Sequence, residues 1–212
     1  MGRRGKVRIV GGCWRGRRLP VPPVAGLRPT PERVRETLFA WLQPRIEGLA
    51  CLDLFAGTGA LGFEAVSRGA ARAVLVERDP RLCRGLREQA AAFAAGQRLR
   101  IECADALSWL SRPRREAFDL ACLDPPFARR ELAERCCRLL LSRGLLAEGG
   151  LLYLESSREL RLPRPLQTLR CKQAGQVRFL LARLGAAASR ERPAAAAVAP
   201  AAGAGRAGAG RV

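Results

Sequence analysis

Histidine is absent from this chain of 212 residues, and no other gap in its composition removes as much chemistry. Without an imidazole there is no Ser–His or Cys–His triad and no histidine base near neutral pH. Metal sites lose their commonest nitrogen ligand as well. Eight cysteines are present (Cys13, Cys51, Cys83, Cys103, Cys122, Cys136, Cys137 and Cys171), but none forms a CxxC pair. Zinc sites of the usual spacing are therefore excluded, and no CxxxCxxC exists to hold the cluster of a radical methylase. Several of the cysteines sit inside apolar runs, such as Ala50-Cys51-Leu52 and Ala121-Cys122-Leu123. They read as small buried hydrophobes in a reducing cytoplasm, not as disulfides. No apolar run reaches the length of a signal peptide or a membrane span. The expectation is a cytoplasmic protein, with no metal and no membrane partner.

What is abundant is arginine. Lysine occurs only at Lys6 and Lys172, yet Lys and Arg together number 38 against 19 acids, a net charge of +19. Richness in Ala and Gly beside that arginine points to a GC-rich genome, which inflates Arg without functional demand. Genome bias does not choose a location, however. Residues 1–45 carry eleven basic residues and only Glu32 and Glu36 as acids, so nearly half of the excess lies in the first fifth of the chain. Such a concentration suits a polyanion, because neutralised phosphates release condensed counterions.

Three regions follow. Residues 1–45 are a basic N-terminal arm and helix. Residues 7–10 and 17–21 are predicted strands of a hairpin around Gly11-Gly12. Thr30-Pro31-Glu32 is a helix start, with a capping hydroxyl, a proline and an acid. Val34, Leu38, Trp41 and Leu42 then fall at helical spacing toward a core, leaving Arg33, Arg35 and Glu36 turned elsewhere. Residues 46–184 alternate strands and helices. Strands are predicted at 50–55, 73–77, 99–103, 118–123 and 150–155, with helices at 60–68, 80–95, 104–110 and 130–143 between them. This is the α/β pattern of a mostly parallel, doubly wound sheet. A final hairpin, 168–172 and 176–184 around Ala174-Gly175, adds an antiparallel edge. Residues 185–212 are Ala, Gly, Pro and Arg, and read as a disordered tail.

Four elements carry chemistry. Asp53-Leu54-Phe55-Ala56-Gly57-Thr58-Gly59 lies at a strand-to-helix junction, where glycines let backbone approach a ligand closely. Glu77 closes the next strand, where an acid can accept both hydroxyls of a ribose. Asp105, followed by Ala106, comes after the third strand, within reach of an adenine edge. Asp124-Pro125-Pro126-Phe127 ends the fourth strand. An exocyclic amino group is a poor nucleophile, because its lone pair is delocalised into the base. A carboxylate and a backbone carbonyl accepting its two N–H bonds can align it for methyl transfer. The prolines stiffen that stretch, and Phe127 offers a face for an extruded base. The cofactor so implied is S-adenosyl-L-methionine.

The pieces Arg8-Ile9-Val10-Gly11-Gly12, Trp14-Arg15-Gly16-Arg17, Leu27-Arg28-Pro29-Thr30, Arg33-Val34-Arg35-Glu36-Thr37-Leu38-Phe39, Phe55 to Gly62, Asp124 to Phe127 and Ala174-Gly175-Gln176-Val177 occur in that order. Together they resemble the bacterial 16S rRNA guanine-N2 methyltransferase family, usually called RsmD, over residues 6–184. The resemblance implies a Rossmann-like class I fold with a seven-stranded sheet, acting as a monomer on one guanine of 16S rRNA within the small ribosomal subunit or its assembly intermediate. It places Asp53, Phe55, Ala56, Gly57, Gly59, Glu77, Asp105, Ala106 and Asp124 at the cofactor. Asp124, Pro125, Pro126 and Phe127 hold the guanine. Arg15, Arg17, Arg18, Arg28, Arg33 and Arg35 are the candidate RNA contacts. The tail departs from the family pattern.

Three rivals remain open on the residues alone. An adenine-N6 methyltransferase acting on DNA or RNA would use the same tetrapeptide. A nicotinamide-dependent oxidoreductase would use the literal GxGxxG, but Tyr153 is the sole tyrosine and sits inside a strand. A non-catalytic RNA-binding assembly factor would keep the fold without needing Asp124.

Overall fold

A computed structural model describes residues 5–126, 130–156, 161–175 and 177–185. Phe127 and all of the proposed tail beyond Gly185 lie outside the described residues, as does Gln176. The N-terminal hairpin forms as β1 (Lys6–Arg8) and β2 (Arg18–Pro20), paired antiparallel with Val7 opposite Leu19. Its connection is wider than a tight turn, because a short 3-10 segment over Gly12–Trp14 intervenes. Gly12 has φ +77°, and a Cβ there would come within 1.7 Å of the Ser67 carbonyl oxygen. Only glycine lets this segment lie flat on the helix beneath.

Helix α1 (Glu32–Leu42) follows. Then come β3 (Ala50–Asp53), α2 (Ala60–Ser67), β4 (Arg72–Glu77), α3 (Pro80–Ala92), β5 (Leu99–Cys103), α4 (Ala106–Ser111), β6 (Phe118–Leu123), α5 (Arg130–Ser142), β7 (Leu146–Ser156), β8 (Leu166–Ala174) and β9 (Val177–Leu184). The last seven strands form one sheet in the order β5-β4-β3-β6-β7-β9-β8. Pairs from β5 through β7 are parallel, and β9 runs antiparallel between β7 and β8. The expected antiparallel hairpin is therefore present, with its second strand inserted and its first at the edge. β7 begins four residues before its predicted start, because Leu146 pairs with Phe118 ahead of an irregularity in register.

A strand buried on both faces reads as a continuous apolar run. Ala73-Val74-Leu75-Val76 in β4 shows where the two faces lead. Ala73 and Leu75 join a core with α1, α2 and α3, while Val74 and Val76 join one with α4 and α5. The first core also takes in Val7, Ile9, Trp14 and Leu19 of the hairpin region. Trp14 meets Phe93 edge-on at 5.2 Å between centroids and Phe63 at 6.0 Å. The arm is thus packed into the body along its apolar side. All eight cysteines are free, and five are buried, as their apolar surroundings imply. Among the described residues, no helix is long and apolar enough to cross a membrane, and no cluster of potential metal ligands occurs.

Two expectations about α1 need correction. The cap is Pro31, with no side-chain hydrogen bond, so Thr30 does not cap the helix. Its hydroxyl is used inside the molecule instead. Arg35 is 1% exposed and cannot reach RNA. Its guanidinium pairs with buried Glu64 at 3.1 Å and donates to the carbonyls of Arg8 at 2.9 Å and Thr30 at 3.4 Å. Glu64 also accepts the amides of Val10 and Gly11, both at 2.8 Å, and pairs with Arg68. A buried acid with four donors and a buried cation with three acceptors tie α1, α2 and the hairpin into one unit.

Candidate active site

The carboxyl ends of parallel strands point to one edge of the sheet, and open α/β sheets bind ligands there. Here that edge opens into a cavity of about 1110 Å³. Asp53, Glu77, Asp105 and Asp124, at the ends of β3, β4, β5 and β6, all line it. Phe55, Ala56, Gly57 and Ala106 line it as well, and segment 24–30 forms a wall contributed by the N-terminal stretch.

Backbone geometry builds the β3–α2 side. The Gly59 amide donates to the Ala56 carbonyl at 2.6 Å, closing a tight turn. Gly59 has φ +77°, and a Cβ would press to 2.6 Å from Leu86 and 2.9 Å from Phe63. The turn and the helix packing beneath it both require glycine, though Gly59 meets core side chains and not the cavity. Of the two turn glycines, Gly57 is the one that lines it. Glu77 accepts the Gly57 amide on one carboxylate oxygen and the Asp79 amide on the other, each at 2.9 Å. Two backbone donors fix this acid's orientation and leave outward lone pairs for a diol. Asp105 caps α4 through the Ser108 amide at 3.0 Å, so it is a cap and a cavity residue together.

Asp53 is 2% exposed. One of its oxygens accepts the Gly62 amide at 3.3 Å, and the other has no hydrogen-bond partner among the described residues. Burial dominates its titration and lifts it to about 7. A buried acceptor left without a donor costs on the order of 1–3 kcal/mol. Asp53 lines the cavity wall and puts an acid beside any cationic group bound there, so the residues present fit a cofactor bearing an ammonium and a ribose.

A different chemistry occupies the β6–β7 side. Asp124 is half-buried beside Pro125 and Pro126. Burial, then the nearby Glu155 carboxylate, raise Asp124 well above the usual carboxylate range. Glu155, 2% exposed, is raised as well, mainly by burial. The Thr30 hydroxyl donates to Glu155 at 2.9 Å and lies 3.3 Å from Asp124. The Tyr153 hydroxyl donates to the same oxygen of Glu155 at 2.9 Å. Thr30, Tyr153 and Glu155 have no place in the site that the sequence alone suggests.

The basic candidates divide. Arg15, Arg18, Arg28 and Arg33 are exposed and make no ion pair among the described residues. Arg28 also lines the cavity, joining the basic surface to the site. Arg17 is exposed, but its guanidinium lies 3.7 Å over Phe93 and donates to the Ala92 carbonyl at 2.6 Å, so it fastens the hairpin to α3.

A doubly wound sheet with a glycine turn, an acid closing the second parallel strand and an acid-Pro-Pro sequence at its carboxyl edge defines a class I, S-adenosylmethionine-dependent methyltransferase. Similarity to known proteins narrows this. The family described as "Conserved hypothetical protein 95" matches residues 7–183. Ribosomal RNA small subunit methyltransferase D of Escherichia coli (strain K12) is 47% identical over 180 residues, covering 84% of this chain and 89% of that protein. The protein of the same name from Haemophilus influenzae is 39% identical over 182 residues, covering 84% and 94%. The solved Escherichia coli yhhF structure superimposes with a TM-score of 0.79 at 42% identity, covering 85% of this chain and 99% of that one. The chain belongs to this family, the one its motifs resemble.

Proposed function

We propose that this protein transfers the methyl group of S-adenosyl-L-methionine to the exocyclic N2 of a guanine in small-subunit ribosomal RNA. The observation that carries the reading is Asp124, poised in the same cavity as the Gly57 turn and Glu77. The cofactor supplies a sulfonium-activated methyl group. Asp53 offers a carboxylate oxygen for its ammonium, Glu77 holds the ribose, and Asp105 sits where the adenine edge would lie. Asp124 and the Pro125 carbonyl accept the two N–H bonds of the amino group, which orients its lone pair and lowers the barrier to attack. A base reaches such a site only when taken out of its stack. The aromatic ring that the sequence offers for stacking on such a base is that of Phe127, which lies outside the described residues. The substrate is the assembled or assembling subunit, met in the cytoplasm by a single copy of the chain, with Arg15, Arg18, Arg28 and Arg33 on RNA phosphates.

Guanine over adenine rests on family membership, since N2 and N6 amino groups make the same demands on Asp124. The test is to incubate unmethylated small subunits with the enzyme and labelled cofactor, digest, and identify the nucleoside. N2-methylguanosine is expected. Label in N6-methyladenosine, or only in DNA, would overturn the substrate while keeping the reaction class. Asp124→Ala should abolish transfer and spare cofactor binding; full activity would show that Asp124 does not receive the target amino group.

A further inference from the structure

We infer that Thr30, held by Glu155 and Tyr153, is a positioning residue that sets the orientation and charge of Asp124. The inference rests on the reading of Asp124 as the group that receives the target amino group.

Asp124 follows β6, Glu155 and Tyr153 belong to β7, and Thr30 to the segment that wraps the cavity from the N-terminal stretch. The Thr30 hydroxyl has one proton and two carboxylates to serve, at 2.9 and 3.3 Å. Sharing that proton between them, with the closer contact to Glu155, gives each acid part of a donor. Two ionised carboxylates around one hydroxyl repel each other, and burial sharpens the repulsion. Tyr153 sustains it, because its buried hydroxyl donates to Glu155 and favours the ionised form there. The charged and titratable neighbours of Asp124 are thus Glu155 and Tyr153 of β7, Asp53 of β3 and Cys122 of β6, with Thr30 as its side-chain donor.

Asp124 accepts an N–H bond more strongly as a carboxylate than as a neutral acid, which also keeps a proton that faces the amino group. Stabilising its charge therefore extends activity to lower pH. The Thr30 hydroxyl has no capping role to explain it, and its backbone carbonyl is itself fixed by buried Arg35. A threonine pinned at both ends is placed to fix the rotamer of a neighbouring acid.

Thr30→Val keeps the volume and removes the hydroxyl. Methylation of small subunits should be measured at saturating cofactor and substrate across pH, for this variant, Thr30→Ser, Glu155→Gln, Tyr153→Phe and Asp124→Ala. Thr30→Val should lower kcat about 10- to 100-fold, the scale of one hydrogen bond to a charged group. KM for S-adenosylmethionine should hold, and Thr30→Ser should restore most of kcat. The acid limb of the kcat profile should move to higher pH in Thr30→Val, which loses a donor to the carboxylate. It should move to lower pH in Glu155→Gln, which loses a repelling charge. Tyr153→Phe should follow Glu155→Gln by a smaller step, and it carries the test if Thr30→Val does not bind cofactor. An unmoved limb, or shifts of the same sign in Thr30→Val and Glu155→Gln, would overturn the inference. Full activity in Asp124→Ala would instead overturn the reading beneath it.

Discussion

The two walls of the cavity are built on opposite principles. On the cofactor side, Asp53 to Gly59 is a contiguous strand-to-helix turn, and Glu77 is fastened by two backbone amides. Such a wall follows from local sequence and the register of two neighbouring strands. On the nucleophile side, Thr30, Asp124, Tyr153 and Glu155 converge from three segments separated by up to 125 positions. They touch one another side chain to side chain, and two of the four are acids that share the hydroxyl protons of the other two. The first wall is a rigid receptacle. The second stays in place only while the segments around it remain docked.

Breaking that docking should produce the largest stability effect. Arg35→Met leaves Glu64 with Arg68 and two amides but strips the carbonyls of Arg8 and Thr30 of a donor, and losing one partner of a buried pair costs at most about 3–5 kcal/mol. Denaturant unfolding should show a loss up to that size. By contrast, Glu77→Ala should cost less stability, because the two amides it releases open onto the cavity and can turn to water, and should cost roughly 1–3 kcal/mol of cofactor affinity by calorimetry. If Arg35→Met unfolds like the parent, the two walls do not differ in the way described.

A pH titration sharpens the contrast within the cofactor wall. Asp53 titrates at about 7 in the folded chain, above its ordinary value of 3.8, so the folded state holds a proton between those values that the unfolded state has released. Its ionisation destabilises the empty protein as pH rises through that window. A bound ammonium reverses the preference. Cofactor affinity should therefore fall as pH drops below about 7, by up to about tenfold per unit. Asp53→Asn should flatten the curve; an identical slope in that variant would show that Asp53 does not meet the cation. The smallest per-residue effect belongs to the surface. Replacing Arg15, Arg18, Arg28 and Arg33 should shallow the salt dependence of subunit binding by roughly 0.7–0.9 log units for each phosphate no longer neutralised. Equal slopes would make these arginines compositional.

The same asymmetry decides what can be read from residues alone. Apolar runs and punctuating glycines locate nearly every element of the sheet, because secondary structure is encoded locally. The cofactor wall is legible for the same reason. Thr30 misleads, since Thr-Pro-Glu has the composition of a helix cap and nothing nearby reveals that two acids 94 and 125 positions away compete for its hydroxyl. Arg35 misleads because a helical wheel places it at the flank of the apolar stripe and gives no reason to bury a cation. One signal exists: Glu64 is the lone charge in Ala60–Ser67, an otherwise uncharged and wholly buried helix, and a buried acid needs a buried partner. Glu155, near the end of a long apolar strand, is a second sign of the same kind.

The embedding of the N-terminal hairpin has a consequence for how the molecule could be recombined. Its sequence looks like a detachable basic appendage, yet Trp14 sits among Phe63 and Phe93, and Ser67 both accepts the Trp14 amide at 2.9 Å and donates to the Gly11 carbonyl. A chimera whose arm lacks the indole would inherit a hole where it belongs, and one whose arm follows another path would leave Glu64 without the amides of positions 10 and 11. Arm and body are therefore one unit of exchange. Grafting the target preference of one such enzyme onto another would have to move Glu64, Ser67 and Phe93 along with the arginines.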